Sequence, residues 1–201
     1  NPFGYADGSL DATQFTWLEN RLIEASARYY DANGNPIDTG NPNRLIVLFS
    51  HHNLQTLDNP IVSQAHPQLR VLSAEIIALL RRFPNVVLWC NGHSHFCRVW
   101  AHPDPSGRTG GFWEVNTPSH VDFPQQSRIV EVVDNRDGTL SIFATLVDHL
   151  APPETDPARM DPLGLASISR ELSANDNFVS RAVQLGQDTD RNVELLIKAP
   201  F

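Results

Sequence analysis

The sequence predicts an α/β fold of the layered α+β kind, in which helices cover mixed sheets. Three observations lead there. An apolar strand, an amphipathic helix and a second apolar strand follow one another between Leu45 and Trp89. Short strand-like runs separated by turn residues then occupy Phe96 to Val147. A further amphipathic helix precedes both blocks.

Taken in order, Asp11 and Gln14 have the spacing of a capping box, in which each side chain satisfies a free N–H of the first helical turn. Phe15, Leu18, Leu22 and Ala25 then recur at helical spacing, which predicts a helix running to about Tyr30. Asp31 to Asn43, with Asn33-Gly34 and two prolines, reads as turns. Leu45 to Phe49 is a continuous apolar run of strand length, the pattern of a strand covered on both faces. A second helix is expected over Gln68 to Arg82, with Leu69, Leu72, Ile76, Leu79 and Leu80 buried and Pro84 as its stop. Val86 to Trp89 gives another buried strand. Phe96–Ala101, Phe112–Asn116, Arg128–Val133 and Leu140–Val147 follow as short strands, the last two joined by the hairpin signal Asp137-Gly138. From Ala151 the chain is rich in proline, and a short helix over Leu165–Leu172 and a strand near Val193–Ile197 complete it. The expected organisation is therefore a domain over 1–150, with a Pro-rich linker and C-terminal extension over 151–201 packing on it.

Composition limits the function classes. At 201 residues and 22.4 kDa, with 41% hydrophobic and 19% charged residues, the chain has the make-up of a single globular domain. A net charge of −8 without basic blocks argues against dedicated nucleic-acid binding. No apolar run approaches the roughly 20 residues of a membrane span. Cys90 and Cys97 are too few for a disulfide scaffold, and the compartment stays unread. They flank the second histidine segment, where a disulfide or a metal is conceivable, but a cysteine ending a buried strand reads as inert core. Lys198 is the only lysine, a bias that fits a GC-rich bacterial genome. The chain opens on Asn1 and its only methionine is Met160, so a processed product or a part of a longer polypeptide is expected.

The chemistry sits at two strand ends. The first apolar strand runs into Ser50-His51-His52-Asn53, and the second into Asn91-Gly92-His93-Ser94-His95. Carboxyl ends of neighbouring strands in a layered α/β fold converge on one crevice, so these imidazoles face one place, and imidazole is a common ligand for transition metals. His93 and His95 straddle one residue, and an extended backbone would direct both rings to the same side. His66, His102 and His149 lack this context and read as ordinary hydrogen-bonded histidines. Ser50 and Ser94 lie beside the cluster, but no Gly-x-Ser-x-Gly elbow accompanies them.

These segments resemble the C-terminal half of the calcineurin-like metallophosphoesterases. Leu10 to Leu18 is similar to the helix with a Gln-x-x-Trp-Leu pattern that follows that family's Gly-Asn-His motif. Leu45 to His51 resembles the strand ending in its late histidine motif, and Gly92-His93-Ser94-His95 its closing Gly-His-x-His. Asp122 to Asn135, continued by Asp137-Gly138, further resembles a bacterial branch of predicted phosphoesterases. The resemblance spans about Ser9 to His149 and implies part of an αββα sandwich with a dinuclear centre. It assigns His51 and His93 to one metal and His95 to the other. His52 and His120 are expected to orient substrate or support the ligands. Asn53 stands where the family has proline. The loop from Asn116 to Arg128, which holds His120, Asp122 and Arg128, either contacts substrate phosphate or simply connects strands.

The family's early motifs, Asp-x-His, Gly-Asp-x-x-Asp and Gly-Asn-His, are absent, and with them the bridging carboxylate. The resemblance therefore implies a phosphate mono- or diester hydrolase with two metal ions (Mn, Fe or Zn) in an intact parent. This chain supplies the late histidines, its partner is the N-terminal half of the same domain, and alone it holds at most one ion and is inactive. Two other readings stand beside this one. The first is a non-catalytic scaffold or metal-binding interaction module of the same shape. The second is a mononuclear His-ligated zinc hydrolase, which the Phe96-Cys97-Arg98 that follows His95 weakens, since the metallo-β-lactamase pattern wants Asp-His after the second histidine.

Overall fold

A computed structural model describes residues 7–65, 67–176 and 179–201. It is a layered α/β fold with one mixed four-stranded sheet at its centre. The elements are β1 (Leu10–Asp11), α1 (Ala12–Glu24), β2 (Arg28–Tyr30), β3 (Pro36–Asp38), β4 (Ile46–Phe49), β5 (Arg70–Val71), α2 (Ser73–Leu80) and β6 (Val86–Asn91). They continue with β7 (Arg98–His102), β8 (Phe112–Asn116), β9 (Ser127–Asp134), β10 (Thr139–Val147), α3 (Pro162–Asn175), α4 (Arg181–Leu185) and β11 (Val193–Lys198).

The central sheet has the order β4-β6-β8-β7, with β4, β6 and β8 parallel and β7 antiparallel to β8. On one face α1 and α2 pack through Leu22, Ile76, Leu79 and Leu80 onto Val86, Trp89 and Phe112. On the other face Val87, Leu88 and Val115 meet Leu140, Ile142, Leu195 and Ile197 from an antiparallel sheet of order β11-β10-β9. Both faces of β6 are thus covered, as its continuous apolar sequence requires.

The predicted capping box forms: Gln14 N–H donates to Asp11 Oδ1 at 2.7 Å, and Asp11 N–H donates to Gln14 Oε1 at 3.0 Å. The helix ends at Glu24, several residues before Tyr30. Beyond it Asp31 accepts from Asn33 and Asn35 in a tight turn, which folds the flanking residues into the β2–β3 hairpin. Asn85, buried between the layers, accepts from Ser26 Oγ and donates to the carbonyls of Ala25 and Arg44. One amide thereby terminates α1 and starts β4.

Two apolar assignments are corrected. Leu69 is 80% exposed, because Arg70–Val71 pairs with Leu10–Asp11 and α2 begins only at Ser73. The β4 run is only partly covered: Ile46 and Leu48 pack on the helix side and Val47 on the side of the second sheet, and none of the three is fully buried. It forms the outer edge of its sheet, and Phe49 is 78% exposed. An apolar groove of about 600 Å³ lies along this edge, between Trp17 and Leu18 of α1 and Leu48, Phe49, His51 and His52.

The Asp137-Gly138 hairpin joins β9 to β10 as expected. β11 pairs with β10 from Thr139 to Ala144, so the last strand is built into the second sheet and contributes Leu195 and Ile197 to its core. α3 begins at a cap in which Gly164 N–H donates to Asp161 Oδ1, with Pro162 in the first turn.

Candidate metal centre

The parallel order of β4, β6 and β8 sends three chain segments out of the same end of the sheet. Beyond the strands, Ser50 N–H donates to the Cys90 carbonyl at 3.2 Å, Gly92 N–H to His51 O at 3.0 Å and Thr117 N–H to Asn91 O at 2.8 Å. These bonds zip the histidine segments together. His51 Nε2 and His93 Nδ1 stand 3.0 Å apart, so one imidazole donates to the other. The His52 ring lies 4.0 Å from that of His93, and its Nδ1 faces Thr56 Oγ at 3.1 Å.

His95 takes a different course. Its Nδ1 pairs with Asp122 Oδ2 at 2.8 Å. The backbone explains the split, because Gly92 to His95 is not extended. His93 (φ 68°) and His95 (φ 59°) both sit in the left-handed region, so the expectation that alternation would aim the rings to one side is corrected. His93 turns toward β4 and His95 toward the loop after β8. His120 lies elsewhere, with its Nε2 2.8 Å from Ser127 Oγ, beside a small cavity shared with Asp148 and His149. His66 is outside the described residues.

Buried amides hold the two histidine segments. Asn53, fully buried, caps the short 3-10 turn after His52 by accepting from Thr56 N–H at 3.1 Å. Its Nδ2 faces Ser94 Oγ, Asn116 Oδ1 and the Gly92 carbonyl. Asn116 Nδ2 donates in turn to Ser94 Oγ at 3.0 Å. Both serines have structural work: Ser94 accepts from these amides, and Ser50 Oγ donates to the His52 carbonyl while accepting from Trp89 Nε1. Arg128 turns away from the site, donating to Cys97 Sγ and to the carbonyls of Asp190 and Arg191. Burial pulls its pKa below the ordinary guanidinium value. Both cysteines are free, and burial pushes the Cys90 thiol up to about 11 and raises Cys97 as well.

One charged neighbour was not legible in the sequence. Asp7 lies close enough for its carboxylate to favour the protonated forms of His52 and His93. Its segment is fixed over the cluster: Gly8 N–H donates to Thr56 O at 2.7 Å, and Asn59 N–H donates to the Gly8 carbonyl at 2.9 Å. Gly8 lets the backbone lie close to the ring, since a Cβ would stand 2.9 Å from His52 Cδ2 and push the imidazole aside. Only tertiary structure brings this Asp-Gly pair to histidines more than forty residues away.

Burial lowers the pKa of His52 and of His93 below the ordinary imidazole value, the neighbouring rings add to this, and Asp7 opposes it. Both rings therefore present lone pairs at neutral pH, as metal ligation requires. The sign for stability follows. Between the lowered folded values and the ordinary value near 6.5, the unfolded chain binds more protons than the folded one. Stability of the metal-free protein should rise with pH across that window and flatten above it. Urea denaturation from pH 5 to 8 checks this, with His52→Gln/His93→Asn expected to reduce the slope; an unchanged slope would remove these rings as its source.

The 3.0 Å between His51 Nε2 and His93 Nδ1 is that of an N–H···N hydrogen bond. Two imidazoles on one tetrahedral ion at about 2.1 Å would stand roughly 3.4 Å apart, so the pair would have to lose that proton and open slightly to share an ion. Among the described residues, no three His, Cys, Asp or Glu side chains form a complete set of ligands. Nor is any helix among them long and apolar enough to cross a membrane. No protein-family model matches the chain, and no curated protein does either.

Proposed function

We propose that this chain supplies the late histidine ligands of a metal-dependent phosphoester hydrolase with a dinuclear centre. The observation that carries the reading is the 3.0 Å approach of His51 Nε2 to His93 Nδ1, from segments leaving adjacent parallel strands. His51 and His93 would hold one ion. His95 would serve the other, its ring oriented by Asp122 in the way that carboxylates orient ligating imidazoles. When bound, such a pair of ions supplies the positive charge that acidifies an attacking water and stabilises the departing oxygen. The residues of this chain do the holding: the Asn53–Ser94–Asn116 network fixes both loops, and Asp7 places negative charge beside the imidazoles. The substrate class is a phosphate mono- or diester.

A second reading is a metal-binding module without catalysis, holding one ion. What favours it is that, among the described residues, two imidazole nitrogens approach to 3.0 Å while no three His, Cys, Asp or Glu side chains gather to hold an ion.

The test is hydrolysis of aryl phosphate mono- and diesters, with Mn²⁺, Zn²⁺ or Fe²⁺, by a polypeptide that joins this chain to the N-terminal half the proposal calls for. Turnover that requires metal and disappears on chelation is expected, with little or none from residues 1–201 alone. Such a polypeptide that binds metal yet hydrolyses neither ester class would hand the lead to the binding module.

A further inference from the structure

Glu114 is 1% exposed, in the middle of β8. Its neighbour on the same face, Phe112, belongs to the apolar cluster under α1 and α2. A buried carboxylate is costly unless every oxygen is paired, and an apolar side chain of similar size often serves stability as well or better. Here both oxygens are engaged. Oε1 accepts from Asn91 Nδ2 at 2.7 Å and from Leu54 N–H at 2.9 Å, and Oε2 meets His102 Nε2 at 2.6 Å.

The two groups on Oε1 are the telling ones. Asn91 is the last residue of β6, directly before Gly92-His93. Leu54 directly follows His51-His52-Asn53 and opens the 3-10 turn. One oxygen therefore grips the root of each histidine segment from below, while Asn53 and Asn116 tie the same segments from above. His102 sits on the other oxygen, away from both roots.

We propose that Glu114 is a positioning residue, which sets the spacing of the His51 and His93 rings by clamping Leu54 and Asn91 on a single carboxylate oxygen. The inference rests on these two histidines forming one site, as read above. Glu114 touches neither ring and acts only through the backbone of one segment and the amide of the other.

The experiment compares Glu114→Gln, Glu114→Met and His102→Gln in three readouts: thermal midpoint, Co²⁺ affinity by titration, and the scalar coupling between the ring nitrogens of His51 and His93 in the metal-free, ¹⁵N-labelled chain. Glu114→Gln keeps an amide oxygen for Leu54 and Asn91, so it should retain the coupling and bind Co²⁺ within about threefold of wild type. His102→Gln leaves both clamp bonds in place and should do the same, even where its midpoint falls. Glu114→Met should abolish the coupling and weaken Co²⁺ by about 10–100-fold, the range seen when an outer-sphere partner of a metal ligand is lost. Should Glu114→Met not fold, Asn91→Ala cuts one arm of the clamp and should also weaken the coupling. A Glu114→Met protein, or in its place Asn91→Ala, with wild-type coupling overturns the proposal, as does a wild-type chain with no coupling. If wild type shows the coupling but binds no Co²⁺, the proposed function falls, and loss of the coupling in Glu114→Met still upholds the clamp.

Discussion

Alanine at either His51 or His93 is expected to abolish tight binding of one divalent ion, and alanine at both to cost little more. The two nitrogens stand 3.0 Å apart and, in the reading proposed above, would take neighbouring positions on the same ion. Either loss breaks one site, so the effects are not additive. Each single change should weaken that ion by more than the roughly 10–100-fold that follows loss of an outer-sphere partner. His95→Ala should spare this ion and remove the other, because His95 faces Asp122 and not the His51–His93 pair. In a polypeptide that also carried the N-terminal half proposed above, all three changes should cost most of the turnover. His149→Ala is the control, since His149 contacts Arg170 outside the cluster. Calorimetric Zn²⁺ titration of each variant checks the binding, and equal Zn²⁺ affinity in wild type and His93→Ala would refute it.

Asp190→Ala is expected to lower stability by about 2–5 kcal/mol. Asp190 is 4% exposed and holds β7 to the segment before β11. Its Oδ1 accepts from Val99 N–H at 2.8 Å, and its Oδ2 accepts from Gln187 N–H at 2.8 Å and from Arg98 Nη1 at 3.3 Å. Alanine removes the acceptor of two N–H groups and one guanidinium, all part-buried, and a donor left without a partner costs roughly 1–3 kcal/mol where water cannot replace it. For a chain of this size that corresponds to a fall of about 5–15 °C in thermal midpoint. Asp190→Asn keeps one carbonyl oxygen and should recover part of the loss. Thermal denaturation followed by circular dichroism decides it, and a fall under about 2 °C would show that water satisfies these groups.

Both examples mark what local sequence carries and what it does not. The capping box at Asp11 and Gln14, the hairpin at Asp137-Gly138 and the buried run of β6 each depend on residues a few positions apart, and all were legible. So was the meeting of His51 with His93, because strands of a βαβ succession end on one side. Leu69 was misread because its spacing from Leu72 and Ile76 is helical, while pairing of Arg70–Val71 with β1 claims the backbone first. That β4 would lie at the sheet edge and be only partly covered was not legible, because an apolar run carries no information about how many neighbours its strand will have. Asp7 and Glu114 were missed altogether: each acts on residues far off in the chain, and neither lies in a local motif. The divergence of His93 from His95 was illegible for a different reason, since nothing in Gly-His-Ser-His announces two left-handed histidines.

Those two backbone angles set folding against any demand for histidine at positions 93 and 95. A side chain with a Cβ pays about 1–2 kcal/mol in the left-handed region, which glycine avoids and asparagine tolerates better. Histidine is itself among the residues enriched there, yet glycine would still be the less costly choice at positions 93 and 95, so a demand for the rings would have to oppose drift toward it. A lineage released from that demand should lose this pair before it loses His102 or His149, whose replacement relieves no left-handed backbone. The order in which histidines disappear among diverged copies would then record when the site fell out of use.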